Sequence, residues 1–327
     1  MLIYFIEIRN LRYLSYINIY FMETIYLYSR TDRLGSHLLQ YLTLIIYAVY
    51  NNLFIAYEYD KIKYRHSLFV KAILKYIDNY NQKFNFDNNK LSEIKEKYKN
   101  LNIMEYLLDF ETKFNLNVYF YSCDLLIITT QVIYNIKSDL ISYYRKYIHQ
   151  NIVLNINNNI PANYVIPFNP KKTIAVHLRL DDVADRSDYD GSYCSNYYKN
   201  RIDSDNGKIQ GIANLGYCNL QTPLNKCKID KCLYEAIQKY PTHEVIIIAA
   251  PGYNKIDFPY RIIRSDDESY DLFLLCNADV LILSRSTFAL SSAFLGMARE
   301  IWCPLWGHFV ATGLYTKYDN SRFNYFF

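Results

Sequence analysis

Residues 280–297, VLILSRSTFALSSAFLGM, decide the fold of this chain. Val280–Leu283 is an apolar run that predicts a buried strand, and Thr287–Met297 has the composition of a helix packed on it. The turn between them is rich in Ser and Thr, which at a helix start are first of all capping residues. The same hydroxyls and exposed amides also bind phosphate. The block therefore predicts a strand, a turn and a helix, with either a cap or an anion site at the turn.

Two further apolar runs extend this pattern into a sheet. Thr173–Leu178 (TIAVHL) and Glu244–Ala250 (EVIIIAA) predict strands, and Cys227–Tyr240 and Tyr270–Cys276 predict helices. Apolar strands with little alternation, separated by helices, are typical of a parallel sheet covered on both faces. Ligands of such sheets bind at the carboxyl ends of the strands. The fold class is therefore predicted to be α/β, with the site at the strand ends.

Charged side chains follow one of these strands directly. His177 lies near the end of Thr173–Leu178, and Arg179, Asp181 and Asp182 come just after it. An arginine at such a position can hold a diphosphate with paired hydrogen bonds, which a lysine cannot do. The alternative is structural, with Arg179 and Asp182 forming an ion pair and His177 packed in the core.

The first part of the chain repeats the α/β pattern. Thr24–Ser29 predicts a strand, and Gly35 at the start of the following helix permits a close backbone approach. The polar stretch Asn155–Asn163 separates this part from the rest, which predicts two domains, 1–155 and 165–327. The other predicted elements of the first domain are helices over His37–Tyr50, His66–Tyr76, Lys90–Tyr98 and Met104–Phe110, and strands over Leu53–Tyr57 and Asn117–Tyr121.

Composition and charge exclude several classes of protein. The 36 basic and 32 acidic side chains are interspersed and leave a net charge of only +4, so no nucleic-acid partner is expected. The apolar stretch Met1–Ser29 is interrupted by charges, so no membrane span is predicted. Seven cysteines, an odd number, favour reduced thiols and a cytoplasmic location. Only Cys227 and Cys232 have zinc-knuckle spacing, and a structural zinc site needs two such pairs, so no metal is predicted.

Three blocks of the sequence resemble the fucosyltransferase superfamily, in particular the α-1,2-fucosyltransferase-like enzymes. Arg33–His37 (RLGSH) is similar to the Arg-Leu-Gly-Asn-Gln helix start of that family, and Val176–Asp182 (VHLRLDD) to its His-x-Arg-Arg-Gly-Asp strand end. The third block, Asp271–Leu295, contains Ser284-Arg-Ser-Thr-Phe288 and is similar to the Ser-x-Ser-Thr-Phe-Ser block. The likeness runs from about residue 24 to about residue 300 and is concentrated in these blocks.

The resemblance implies two Rossmann-like domains facing across a cleft, the GT-B architecture of glycosyltransferases. It implies an inverting transferase without a metal or other cofactor, which moves fucose from GDP-fucose to a hydroxyl of a glycan acceptor. The partners are then a nucleotide-sugar donor, held by the domain 165–327, and a glycan acceptor on the side of 1–155. The implied catalytic residues are His177, Arg179 and Asp182. The implied donor-binding residues are Arg179, Asp271, Ser284, Ser286, Thr287 and Phe288, and the implied substrate-binding residues are Arg33, Gly35 and His37.

Three departures from the family pattern keep other functions open. Leu180 replaces the second arginine of the pair, Ala249-Ala250-Pro251 stands where relatives have Ser-Asp-Asp, and Ala289 replaces the last serine of the third block. The first two favour a transferase that uses another nucleotide sugar. The missing carboxylates also suit a degenerate, non-catalytic protein that binds a sugar nucleotide or a glycan. The base that activates the acceptor stays open among Asp181, Asp182 and Asp185.

Overall fold

The computed structural model describes residues 24–27, 33–50, 52–84, 143–179, 224, 226–251, 258–304 and 322–326. In the first half, strand β1 (Thr24–Leu27) and strand β2 (Phe54–Tyr57) are parallel neighbours joined through helix α1 (Leu34–Tyr50). Helix α2 (Leu68–Asn81) follows a short 3₁₀ turn, Tyr59–Lys61. A π-helical turn, Tyr144–His149, continues directly into helix α3 (Gln150–Asn157).

The second half is built around a six-stranded sheet whose paired strands all run parallel. Its strands are β3 (Thr173–Leu178), β4 (Glu244–Ala249), β5 (Arg261–Ile263), β6 (Val280–Ile282), β7 (Glu300–Pro304) and β8 (Phe323–Phe326). Its helices are α4 (Lys226–Lys239), α5 (Glu268–Cys276) and α6 (Thr287–Leu295).

The strand order of this sheet is β5-β4-β3-β6-β7-β8. Numbered along the chain from β3, this is 3-2-1-4-5-6, the order of the doubly wound dinucleotide-binding sheet. The chain leaves β3 toward β4 on one side and returns to β6 on the other side. The topological switch point, where such sheets bind their ligands, therefore lies between the carboxyl ends of β3 and β6.

The two faces of the sheet are buried against different partners. Ile174, Val176 and Leu178 of β3 share a core with α4, whereas Ala175 faces the opposite core. That second core is a single cluster, which contains α5, α6, α1, α2 and the π-helical turn. The helices of the first half therefore share the core on the side of α5 and α6, opposite α4.

A side chain of α2 covers the edge of β2 that faces away from β1. The Asn81 carboxamide accepts a hydrogen bond from Ile55 N at 3.1 Å and donates one to Ile55 O at 2.7 Å. The amide thus takes the place of a neighbouring strand at that residue, because it satisfies one donor and one acceptor of the edge.

The predicted α/β fold with a parallel sheet is confirmed. Most predicted elements that fall on described residues recur within a few positions, and the helix predicted over His66–Tyr76 is shifted to α2. Helix α3 ends at Asn157, within the predicted boundary stretch 155–163. The elements predicted over 90–98, 104–110 and 117–121 lie outside the described residues. The division into two domains across a cleft stays a prediction. None of the helices in the described part of the chain combines the length and apolarity of a membrane span.

Candidate functional site at the strand ends

The carboxyl ends of β3 and β6 meet through one short side-chain contact. His177 Nδ1 lies 2.6 Å from Ser284 Oγ, and both side chains are buried. His177 belongs to β3, and Ser284 follows β6 by two residues. Since β3 and β6 are hydrogen-bonded neighbours, this contact spans the switch point itself.

His177 is held as a neutral ring. Its side chain packs beside the Phe288 ring, with 5.5 Å between the ring centroids. Burial, and then the positive charge of Arg179, lower the pKa of His177 from 6.5 to about 3. A neutral imidazole has one donor nitrogen and one acceptor nitrogen. His177 can therefore position a hydroxyl or donate one hydrogen bond at neutral pH, but it adds no positive charge.

Arg179 immediately follows β3 and is partly buried. Its charge acts on the His177 ring strongly enough to help lower the pKa of that ring, so the two groups share one electrostatic environment. Arginine stays protonated at all physiological pH values. Arg179 therefore contributes a positive charge at this strand end.

Helix α6 begins three residues after Ser284. Ser286 caps this helix, since its side chain accepts a hydrogen bond from Phe288 N at 3.2 Å. The first backbone hydrogen bond of α6 is donated by Leu290 N to Ser286 O. The backbone amides earlier in the first turn therefore do not take part in the helical hydrogen-bond pattern. Amides at a helix start carry the positive end of the helix dipole. The sequence predicts either a helix cap or an anion site at this turn. The structure contains the cap, and the hydroxyls and amides of the turn are also the groups that bind anions.

The start of α1 lies against this same turn. A Cβ on Gly35 would stand 2.3 Å from both N and Cα of Phe288, so the approach requires glycine. Beside it, Ser36 Oγ and Thr287 Oγ1 share a hydrogen bond of 3.1 Å. Arg33 directly precedes α1 and is exposed. The first and third sequence blocks therefore meet in space, although about 250 residues separate them.

The opposite end of α6 is covered by the π-helical turn. Tyr144 donates to Phe294 O at 3.1 Å, and Arg145 donates to Ala293 O at 2.9 Å and to Gly296 O at 3.1 Å. His149 Nε2 lies 3.0 Å from Leu295 O and 3.1 Å from Arg145 Nη1. Side chains of the π-helical turn thus contact four successive carbonyls at the end of α6.

Two further predicted site residues, His37 and Asp271, are buried in the structure. His37 is fully buried and packs its ring between Tyr41 and Tyr64, so it presents no accessible surface to a substrate. Asp271 is 8% exposed within α5, and Oδ1 has no hydrogen-bond partner among the described residues. Burial and the neighbouring carboxylates of α5 raise the pKa of Asp271 to about 8. At neutral pH this carboxyl is therefore mostly protonated.

Some of the remaining predicted site residues lie outside the part of the chain that the structure describes. Asp182, with its alternatives Asp181 and Asp185, lies outside the described residues, as does Leu180. Ala249 ends β4 and pairs with Leu178, which places methyl groups next to the end of β3. In the described part of the chain, no group of three or more His, Cys, Asp or Glu side chains is placed to hold a metal ion.

No protein-family model matches this chain, and no curated protein matches it in sequence. Among solved structures, POFUT1 in complex with GDP-fucose is similar at a TM-score of 0.24 and 18% identity over 39% of this chain. The chain spans 39% of the length of POFUT1 in that alignment. The NodZ alpha-1,6-fucosyltransferase soaked with GDP-fucose is similar at a TM-score of 0.36 and 10% identity, over 85% of this chain and 94% of NodZ. Likenesses this weak say nothing about function, which rests on the chain's own residues.

Sequence reasoning missed two groups of residues at α6. Ser36 was not assigned a role, although a small polar residue beside Gly35 at a helix start is a signal for close packing. Arg145 and His149 were missed because their partners lie about 150 residues away and are backbone carbonyls. A pattern of neighbouring residues in the sequence cannot predict a contact with a backbone carbonyl so far along the chain.

Proposed function

We propose that this chain is an inverting, metal-independent glycosyltransferase that transfers fucose from GDP-fucose to a hydroxyl of a glycan acceptor. The observation that carries the proposal is the 2.6 Å contact between His177 and Ser284 at the switch point. It joins two of the three sequence blocks at the position where doubly wound sheets bind nucleotides. The contact of Gly35 with Phe288 brings the remaining block to the same turn.

In this proposal Arg179 binds the diphosphate of the donor. The departing diphosphate gains negative charge, and without a metal a side chain has to stabilise it. Because His177 is neutral, we assign this role to Arg179, whose positive charge acts on the His177 ring. Ser284, Ser286, Thr287 and the first-turn amides of α6 add hydrogen-bond donors, and Phe288 fixes the His177 ring.

The remaining predicted residues are assigned to the donor or to the substrate side. Asp271, whose raised pKa keeps it mostly protonated in the unliganded protein, is assigned to the donor, and Arg33 and Gly35 are assigned to the substrate side. His37 was also predicted there, and we assign it instead to packing under Tyr64, because its ring is fully buried. The acceptor and donor then meet in a cleft between the two halves of the chain.

The transfer step needs a base for the acceptor. In the proposed reaction, the acceptor oxygen attacks the anomeric carbon from the face opposite the diphosphate, and a new C–O bond forms as the bond to the diphosphate oxygen breaks. The hydroxyl proton passes to a carboxylate, assigned to Asp182 by its motif position. GDP leaves with the electron pair of the broken bond, held by Arg179.

A different nucleotide sugar is the second candidate. Ala250 and Pro251 follow the last residue of β4, which pairs with the end of β3, and they stand where the related sequences have carboxylates. A donor site without those carboxylates suits another base or sugar. The absence of these carboxylates also suits a non-catalytic protein that binds a nucleotide without turnover.

Calorimetric titration of GDP, UDP, dTDP and CDP without added metal tests the proposal. We expect GDP to bind to the native protein and the Arg179→Ala variant to bind it about 10- to 100-fold more weakly, because a charge-assisted hydrogen bond is lost. Arg299→Ala is the matched control, since Arg299 pairs with Asp279 just before β7 and β6, at the amino ends of the strands.

The outcomes separate the candidates. Tighter binding of another nucleotide would replace GDP-fucose as donor while keeping the site. Undiminished GDP binding by Arg179→Ala would remove Arg179 from the donor site. GDP binding without transfer or hydrolysis of GDP-fucose would favour the non-catalytic protein.

A further inference from the structure

A pair of hydroxyl groups joins the starts of α1 and α6. Ser36 lies in the first turn of α1, Thr287 is the first residue of α6, and their side-chain oxygens are 3.1 Å apart. The two residues are 251 positions apart in the sequence, so the pair connects the two halves of the chain. Gly35 allows this approach, because a Cβ there would stand 2.3 Å from Phe288 Cα. The related sequences have asparagine where this chain has Ser36, so the pair is made by a residue that differs from the family pattern.

The positive ends of two helix dipoles meet at this pair. Neither α1 nor α6 has an acidic side chain in its first turn. The amides of a first turn carry positive partial charge, so both helix starts favour a negative group nearby. In the proposed function this group is the diphosphate of the donor.

The other hydroxyls at the start of α6 have partners within the second half of the chain. Ser284 Oγ lies 2.6 Å from His177 Nδ1, and Ser286 Oγ accepts a backbone amide of the first turn as the helix cap. Thr287 differs, since its side-chain partner in the described part of the chain is Ser36. The orientation of the Thr287 hydroxyl therefore depends on the first half.

The direction of this hydrogen bond decides what Thr287 can offer to a ligand. A hydroxyl has one proton and two lone pairs. If Thr287 donates to Ser36, only lone pairs remain on its oxygen, and these repel an anion. If Ser36 donates instead, the Thr287 proton is available to an oxygen of the diphosphate. Hydrogen bonds in such a chain also polarise one another, which strengthens the contact with the anion.

We propose that Ser36 is a positioning residue of the donor site, which donates a hydrogen bond to Thr287 and so directs the Thr287 hydroxyl to the diphosphate. The inference rests on the proposed function and adds to it a contribution of the first half to donor binding. Because Ser36 acts through Thr287, its removal matters only while Thr287 has its hydroxyl. By the reciprocity of linked equilibria, GDP also strengthens the contact between the two helix starts.

A double-mutant cycle of GDP binding tests this inference. GDP is titrated calorimetrically into the native protein, Ser36→Ala, Thr287→Val and the double variant. Ser36→Ala should weaken GDP binding about fivefold, because the hydrogen bond that orients the Thr287 proton is lost. In the Thr287→Val background the same change should cause no further loss of affinity. Ser36→Thr keeps the hydroxyl and should retain the native affinity.

A matched control and a second ligand separate positioning from packing. Ser67→Ala is the control, since Ser67 Oγ lies 3.0 Å from Ser269 Oγ and this pair also joins the two halves, but at the start of α5. Ser67→Ala should leave GDP affinity unchanged. Guanosine, which has no diphosphate, should bind equally to Ser36→Ala and to the native protein in the same titration.

Several results would overturn the inference. Unchanged GDP affinity in Ser36→Ala would show that the pair serves packing alone. An equal loss in both Thr287 backgrounds would show that Ser36 does not act through Thr287. An equal loss for guanosine would place the effect away from the diphosphate. Each of these results leaves the proposed function intact, whereas a folded native protein that binds no GDP removes the proposed function together with the inference.

Discussion

The two ends of helix α6 differ in how their backbone groups are satisfied. At the carboxyl end, Tyr144, Arg145 and His149 contact four successive carbonyls. At the amino end, Ser286 bonds only one amide of the first turn, and the nearby partner from α1 is the small hydroxyl of Ser36. Both ends are reached by the first half of the chain.

This difference between the two ends of α6 indicates that the carboxyl end supports the fold, and it agrees with the proposal that the amino end binds a ligand. The carboxyl end has large donor side chains that fill the space around its carbonyls, and the positive charge of Arg145 interacts favourably with that end of the helix dipole. The amino end carries glycine and hydroxyl groups beside the positive end of the helix dipole, and the proposed function assigns these groups to the donor. We therefore expect changes at the carboxyl end to alter stability alone, and changes at the amino end to alter nucleotide binding as well.

The largest expected effect comes from a glycine at each end. A Cβ on Gly35 would meet Phe288 at 2.3 Å, and one on Gly296 would meet Ser292 O at 2.7 Å and Cys276 O at 2.8 Å. Both Gly35→Ala and Gly296→Ala should lower the free energy of unfolding by about 3 kcal/mol, since backbone has to move in each. Urea denaturation measures this loss.

GDP titration at a temperature where both variants are folded then separates the two ends. Gly35→Ala should bind GDP about tenfold more weakly than Gly296→Ala, because only Gly35 contacts the first turn of α6. Equal GDP affinities in the two variants would contradict the assignment of the amino end to the donor.

The next effect is a pH dependence that belongs to the carboxyl end. Burial, and then the charge of Arg145, lower the pKa of His149 from 6.5 to about 4. Between these two values the unfolded chain binds a proton that the native protein does not, so stability falls as pH decreases from 6.5 to 4 and this contribution levels off below 4. Its size is on the order of 2 to 3 kcal/mol.

The His149→Gln variant isolates this contribution. Glutamine keeps an N–H donor for Leu295 O but does not titrate, so its stability should fall less between pH 6.5 and pH 4 than that of the native protein. His177 contributes in the same direction in both proteins and cancels in the comparison. Identical pH profiles of unfolding would show that His149 is not held neutral.

The smallest effect on stability is expected at the helix cap. Ser286→Ala removes the side-chain acceptor of Phe288 N and should cost about 1 kcal/mol. Ser286→Asp keeps a capping oxygen and should leave stability nearly unchanged, while its charge weakens GDP binding about tenfold. Ser286→Thr is the neutral control for both measurements. Retained GDP affinity in Ser286→Asp would argue against an anion at this turn.

The sheet was predictable because its signals are local. Buried strands such as TIAVHL and EVIIIAA are apolar along their whole length, and the turn residues after β6 mark the start of α6. The rule that ligands bind at carboxyl ends then selects His177 and Ser284 without any knowledge of their contact. Strands β5 and β7 carry no such signal, since β5 has only three residues and β7 contains Glu300 and Pro304.

His37 shows where motif reasoning and helical spacing disagree. Its position in the first block implied a substrate contact, but Tyr41 lies four residues later on the same face of an apolar helix. That spacing favours burial, and the structure buries the ring. The carboxyl end of α6 was beyond sequence reasoning altogether, because Tyr144, Arg145 and His149 act on backbone atoms far along the chain.

The distance between these partners has a consequence for synthesis in the cell. The bond from Tyr144 to Phe294 O joins residues 150 positions apart. At translation rates of about 5 to 20 residues per second, the π-helical turn leaves the ribosome roughly 10 to 30 seconds before α6 does. During that interval Arg145 and His149 have none of the carbonyls that they bind in the finished protein. The nascent first half therefore exposes a face that is buried in the native protein, and this face is a natural target for chaperones until α6 arrives.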